Sequence, residues 1–269
     1  MSSEFTKSTL ALLHQVERHA FTSEQHDALK NSRTTLHFIV GRGEAGAFEE
    51  FFESFDTAPL LPVLTFATKE EADTWLRNHP SPPHGAIIGA LNELYTVAYI
   101  REPDFRKLLR IPSREELAQM DDAEDEDEPG NADETAPPSP IQGMRFSFFD
   151  FFKWTCFHLH ELEQRISSPQ ELEAIGAARI SLDFVMHVGE HHGFEEYLES
   201  IHSARASGPL QFFATREEAD TWLNMQPEPP PPTVVAIGSE LYSVGYHRLR
   251  ALRVLIRIPT QQELRPGAP

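Results

Sequence analysis

The chain has 269 residues, enough for about two average domains, and carries 42 acidic against 23 basic side chains for a formal charge of −19. Hydrophobic residues at 40% suffice to build packed cores, a single cysteine excludes disulfide scaffolds and Cys-rich zinc cages, and the acidic excess argues against a nucleic-acid backbone as ligand. No stretch approaches the roughly 20 apolar residues of a membrane span, and Met1–Lys7 lacks signal-peptide character, so a cytoplasmic protein with no membrane partner is expected.

In chain order, apolar spacing predicts helices near Thr6–Ala20 and Ser23–Asn31, then a strand over Thr34–Val40. A helix over Glu44–Phe55 follows, its core stripe Phe48, Phe51, Phe52 and Phe55 opposed by Glu49, Glu50 and Glu53 on the solvent side. Strand Val63–Phe66 leads to a helix opened by Thr68 as N-cap with Glu71 as its capping-box partner, and ended before Pro80. Strands Ala86–Ala90 and Leu94–Ile100 close the unit, with Leu108–Ile111 as a further short strand.

All of this then happens again. Phe66–Leu76 returns almost unchanged as Phe213–Leu223, 147 residues further on, and the match runs without a gap to Leu117 and Leu264 with about half of the paired positions identical. Upstream, after a one-residue length change, Phe48-Glu-Glu-Phe51 pairs with Phe194-Glu-Glu-Tyr197 and Leu13–Glu17 with Leu159–Glu163. The period is too long for a solenoid, so the chain is a head-to-tail duplication with units at 1–117 and 141–269. Each unit is expected to be an α+β domain, α-α-β-α-β-α-β-β, with helices packed on one small mixed sheet. Residues 118–140 hold −9 of the −19 charge and a run of prolines, the composition of an acidic disordered linker.

The search for chemistry finds little. Gly41-Arg-Gly43-Glu-Ala-Gly46 resembles a phosphate loop, but its counterpart from His187 to Gly193 keeps neither the first glycine nor the arginine, so a plain strand-to-helix turn is expected. Glu190, His191 and His192, and Cys156 with His160, offer ligand types without metal-site spacing, so no metal and no cofactor are expected. His14 with Glu17 and His160 with Glu163 read as helix-surface ion pairs, and Glu93 with Arg101 and Glu240 with Arg248 as hairpin salt bridges. Arg106, Lys107, Arg110, Arg248, Arg250, Arg253 and Arg257 are expected to pair with the chain's own acids. No catalytic motif appears.

The motif Phe-Ala-Thr-(Lys/Arg)-Glu-Glu-Ala-Asp-Thr-Trp-Leu, followed by a proline turn, Tyr-x-Val-x-Tyr and Arg-Ile-Pro, resembles a paralogous family of small myxobacterial proteins. That resemblance implies a toxin-immunity role. It agrees with an acidic chain poor in catalytic groups, whose expected partner is a basic protein such as a toxin. The expected binding residues are Glu49, Glu50 and Glu53 with Tyr95 and Tyr99, and their counterparts Glu195, Glu196 and Glu199 with Tyr242 and Tyr246. Two alternatives stand beside it. One is a duplicated enzyme-like domain acting on a nucleotide or peptide through His14, Glu17, Tyr95 and Arg101; the other is a scaffold whose two copies, otherwise a monomer with two pseudo-symmetric domains, bind each other.

Overall fold

A computed structural model describes residues 4–55, 62–100, 104–112, 116 and 147–264. The first copy begins with helices α1 (Glu4–Val16), α2 (Ser23–Gly41) and α3 (Ala45–Ser54). Strand β1 (Leu64–Phe66), helix α4 (Lys69–Asn78) and strands β2 (Ile87–Ala90), β3 (Glu93–Ile100) and β4 (Phe105–Ile111) complete it. The second copy repeats the order with α5 (Phe148–Glu163), α6 (Pro169–His187), α7 (His191–Ser207), β5 (Gln211–Phe213), α8 (Arg216–Asn224), β6 (Thr233–Ile237), β7 (Glu240–His247) and β8 (Leu252–Arg257), and adds a short α9 (Gln261–Leu264). The expected α+β class holds, with one four-stranded mixed sheet in each half. The acidic segment 118–140 lies outside the described residues.

One predicted element is wrong in kind. Thr34–Val40 is not a strand but the second half of α2, so each copy reads α-α-α-β-α-β-β-β. Its β-branched residues suggest extended backbone, yet Leu29, Ser32, Arg33, Leu36 and Ile39 are buried at helical spacing. The hydroxyls of Ser32, Thr34 and Thr35 donate to the carbonyls four residues back, at 2.8, 2.8 and 3.0 Å. Tertiary burial overrides propensity here. It follows that the Gly41–Gly46 turn joins two helices rather than a strand and a helix, with Gly43 and its counterpart Gly189 at φ of 78° and 69°.

The sheet units follow local rules. Thr68 and Thr215 each accept the N–H three residues on, and Glu71 and Glu218 return a bond to the backbone N–H of Ala67 and Ala214, one residue before the expected cap. Strand β1 runs parallel to β2 through the α4 crossover, and β2, β3 and β4 pair antiparallel; the second sheet has the same register. Each crossover helix covers one sheet face. Ala72 and Leu76 pack with Ile88, Tyr95 and Val97, as Ala219 and Leu223 pack with Val235 and Val244.

The six long N-terminal helices build a single core across both copies. Leu13, Leu29, Leu36, Phe38 and Phe48 of the first copy share it with Leu159, Ile175, Leu182, Phe184 and Phe194 of the second. The packing is pseudo-twofold: Phe48 lies 5.7 Å from Phe184, and the equivalent Phe194 lies 5.2 Å from Phe38. The halves are therefore not beads on a tether but two sheet units on one helical platform.

Candidate functional site

At the junction of the copies the pseudo-symmetry breaks around a buried charge cluster. Glu44 and Glu190 are equivalent residues, each ending a helix–helix turn at the N-terminus of α3 or α7. His247, at the end of β7, lies between them, its Nε2 2.7 Å from Glu44 Oε1 and its Nδ1 3.4 Å from Glu190 Oε1. Arg42 reaches Glu190 at 2.8 Å and donates to the Tyr246 carbonyl at 3.2 Å. Glu190 also accepts the backbone N–H of Arg248 at 2.7 Å, while the Arg248 guanidinium binds Glu196 and Arg250 binds Glu44.

Burial works against ionisation of Glu190, but the Arg42 guanidinium, His247 and Arg248 outweigh it and hold the carboxyl well below its ordinary range. Burial likewise works against Glu44, which the bonded His247 and neighbouring Arg250 keep ionised. Gly193 makes room for the cluster, since a Cβ there would stand 2.8 Å from Glu190 Oε2 and 3.0 Å from Arg248 Nη1. Each carboxylate and guanidinium here has an ion-pair partner, although Arg42 Nε, Glu190 Oε2, His247 Nδ1 and Arg248 Nη1 are buried without a hydrogen bond among the described residues, and the arrangement is a polar clasp between the copies. The sequence left a trace of it only where the repeat fails: Arg42 faces Val188 in the alignment, and His247 faces Ile100.

The residues expected to bind a partner divide sharply. Glu49, Glu50 and Glu53 on α3 have no ion pair among the described residues, and Glu50 and Glu53 are exposed. On α7, Glu195 accepts from the Phe148 N–H and from His192, both at 3.0 Å, and Glu196 holds Arg248 at 2.7 Å; only Glu199 remains exposed. Tyr95 and Tyr246 are buried, with hydroxyls given to Glu93 and Glu228 at 2.5 and 3.0 Å. Tyr242 donates to Glu240, and Tyr99 lies beneath the Arg106 guanidinium.

The expected hairpin pairs are re-partnered. Glu93 binds Arg110 at 2.8 Å and Glu240 binds Arg257 at 2.6 Å, each joined by a further glutamate, Glu116 or Glu263. Arg248 is drawn away to the clasp, and Arg101 lies outside the described residues. The late basic residues do pair with the chain's own acids, apart from Lys107, which has no ion pair among the described residues. His160 lies 3.4 Å from Glu163, whereas Glu17 turns to His26 and the buried Arg33 rather than to His14. His14 and Tyr95 fall in different parts of the fold, on α1 and in the first sheet's own core.

Cys156 is half-buried on α5, and burial pushes its thiol up to about 12. Among the described residues, no group of three or more His, Cys, Asp or Glu is placed to hold a metal ion, and no helix is long and apolar enough to cross a membrane. Compared with known proteins, the chain matches no family model, no curated protein and no solved structure.

Proposed function

We propose that this chain is a non-catalytic protein-binding module, an immunity-type protein that sequesters a basic toxin or effector, in which the second copy is the scaffold and the first copy binds. The observation that supports this is the unequal use of equivalent acids. Glu195 and Glu196 hold the fold together, whereas Glu49, Glu50 and Glu53 are left without ion pairs among the described residues. Carboxylates fixed on a rigid helix steer a basic partner and raise its rate of association, and nearby apolar surface supplies the affinity. The net charge of −19 extends that field.

The test is a photo-crosslinking residue at Glu50 of the intact chain, expressed in the source cells, with the captured protein identified by mass spectrometry. The expected result is one basic protein, lost by about tenfold or more when Glu49, Glu50 and Glu53 are all changed to Lys, and retained by Glu199→Lys. An acidic partner, no captured partner, or capture indifferent to the triple reversal would overturn the reading.

A further inference from the structure

The two sheets present equivalent faces to different surroundings. In the second copy, the face opposite α8 lies on α7 and on the end of α2. Val234 and Ile256 join the helical core, Ser243 donates to Ser200 Oγ at 3.0 Å, and the Tyr197 hydroxyl donates to the Arg257 carbonyl at 2.8 Å. In the first copy the β3–β4 side of the same face is exposed among the described residues, while Ala98 at 9% and Gly89 under Pro62 stay buried. Leu109 is 46% exposed where Ile256 is 1%, and Ile100 is 52% exposed where His247 is 2%. The helix surface that would cover it is open too, with Phe55 at 41% against 5% for Ile201.

One pair of equivalent residues separates the first sheet's position from the second's, through a contact that each sheet would make with the other copy's helix. Ile256 packs so tightly on Gly41 that a Cβ there would lie 2.6 Å from Ile256 Cγ2. The equivalent of Gly41 is His187, whose ring lies tilted against Phe51 at 4.7 Å, so the matching approach would drive Leu109 into an imidazole. The first sheet is held elsewhere instead. Its entry loop sits on the turn before α7, where a Cβ on Gly189 would be 2.7 Å from the Pro83 carbonyl oxygen, and His84 lies 5.4 Å from His191.

Resting on the protein-binding reading above, we infer that this open face takes an amphipathic helix of the partner protein, laid across the first sheet as α7 lies across the second. The chain itself specifies the occupant. Tyr197, Ser200 and Ile201 place an aromatic residue, a hydroxyl and an aliphatic residue at i, i+3 and i+4 against the second sheet. In the first sheet Thr96 stands where Ser243 does and keeps a hydroxyl for that contact, while Leu109 and Ile111 stand for Ile256 and Ile258. One difference sets the charge. Lys107 replaces Val254 on this face and has no ion pair among the described residues, so the incoming helix carries a carboxylate on the flank that meets it.

The probe is a stapled, fluorescently labelled peptide of residues 191–207, titrated into the full chain and followed by anisotropy. Saturable binding is expected, weakened about tenfold or more by Leu109→Glu and unchanged by Leu210→Glu on the exposed edge of the second sheet. A variant peptide with Glu on its β4-facing flank should bind the wild type more tightly and lose that gain with Lys107→Glu. No saturable binding at millimolar peptide, or equal loss with Leu109→Glu and Leu210→Glu, overturns the inference. So does a dimer of the intact chain that Leu109→Glu dissociates, because the occupant is then a second copy. If the Glu50 crosslink captures its basic partner equally well from Leu109→Glu, the helix inference falls while the acidic-face reading stands.

Discussion

Arg42 and Glu190 come from opposite copies and meet at 2.8 Å with each side chain only 2% exposed. A buried pair of this kind contributes little beyond an apolar substitute, but removing one partner strands the other charge. Glu190→Gln leaves Arg42 and Arg248 without their shared carboxylate, and should destabilise the chain by about 3–5 kcal/mol in urea unfolding. Glu50→Gln on the exposed side of α3 should stay within about 0.5 kcal/mol.

Stability should fall on acidification before the carboxylates titrate. His191 is buried against His84, His192 and Phe148, with Glu195 and Arg248 close by. Burial, then the two neighbouring histidines, bring its pKa down from 6.5 to about 3, and His84 is lowered by burial and by His192. A histidine kept neutral in the fold but protonated when unfolded contributes stability that is complete above its unfolded pKa. That contribution is lost as pH falls towards the folded value, by up to about 1.4 kcal/mol per pH unit for His191. Thermal melts between pH 7 and pH 4 should show this slope, and His191→Gln should flatten it.

Close packing at Gly41 gives a sharper geometric test. Gly41→Ala should push Ile256 off α2 and cost about 1–3 kcal/mol despite the better helix propensity of alanine. His187→Ala, at the equivalent position without a sheet against it, should not show that overpacking penalty. Denaturant midpoints of the two variants make the comparison.

Leu91 is an exposed leucine at φ 51°, and its counterpart in the second copy is Gly238 at φ 58°. A branched side chain pays about 1–2 kcal/mol in that region. Leu91→Gly should therefore stabilise the first β2–β3 turn by about 1 kcal/mol, offset in part by unfolded-state entropy, and raise the melting temperature.

What could be read from the sequence was local. Thr68, Glu71 and the alternation through Tyr95, Val97 and Tyr99 placed α4 and β3 because caps and strand periods are set by near neighbours. Thr34–Val40 misled because a β-branched run suggests extended backbone until the packing that overrides it is known. The shared core was out of reach. Apolar stripes on α1 and α2 announce burial, not whether the covering surface is the chain's own sheet or the other copy's helices. The clasp leaves only broken repeats at Arg42 and His247 in the sequence, because Glu44 and Glu190, which flank His247, lie far from it along the chain.

The interleaving of helices has a bearing on how the chain is made. Arg33 in α2 is buried and bound by Glu17 and, at 2.6 Å, by the Leu264 carbonyl, while the apolar sides of α1 and α2 rest on α5 and α6. During synthesis the first three helices have only one another to rest on until α5 is made by residue 163 and α6 by residue 187, and Arg33 lacks its last acceptor until residue 264 has been added. The shared core thus closes only after both copies have been made, so the apolar sides of α1 and α2 stay uncovered by their final partners through the synthesis of the first sheet.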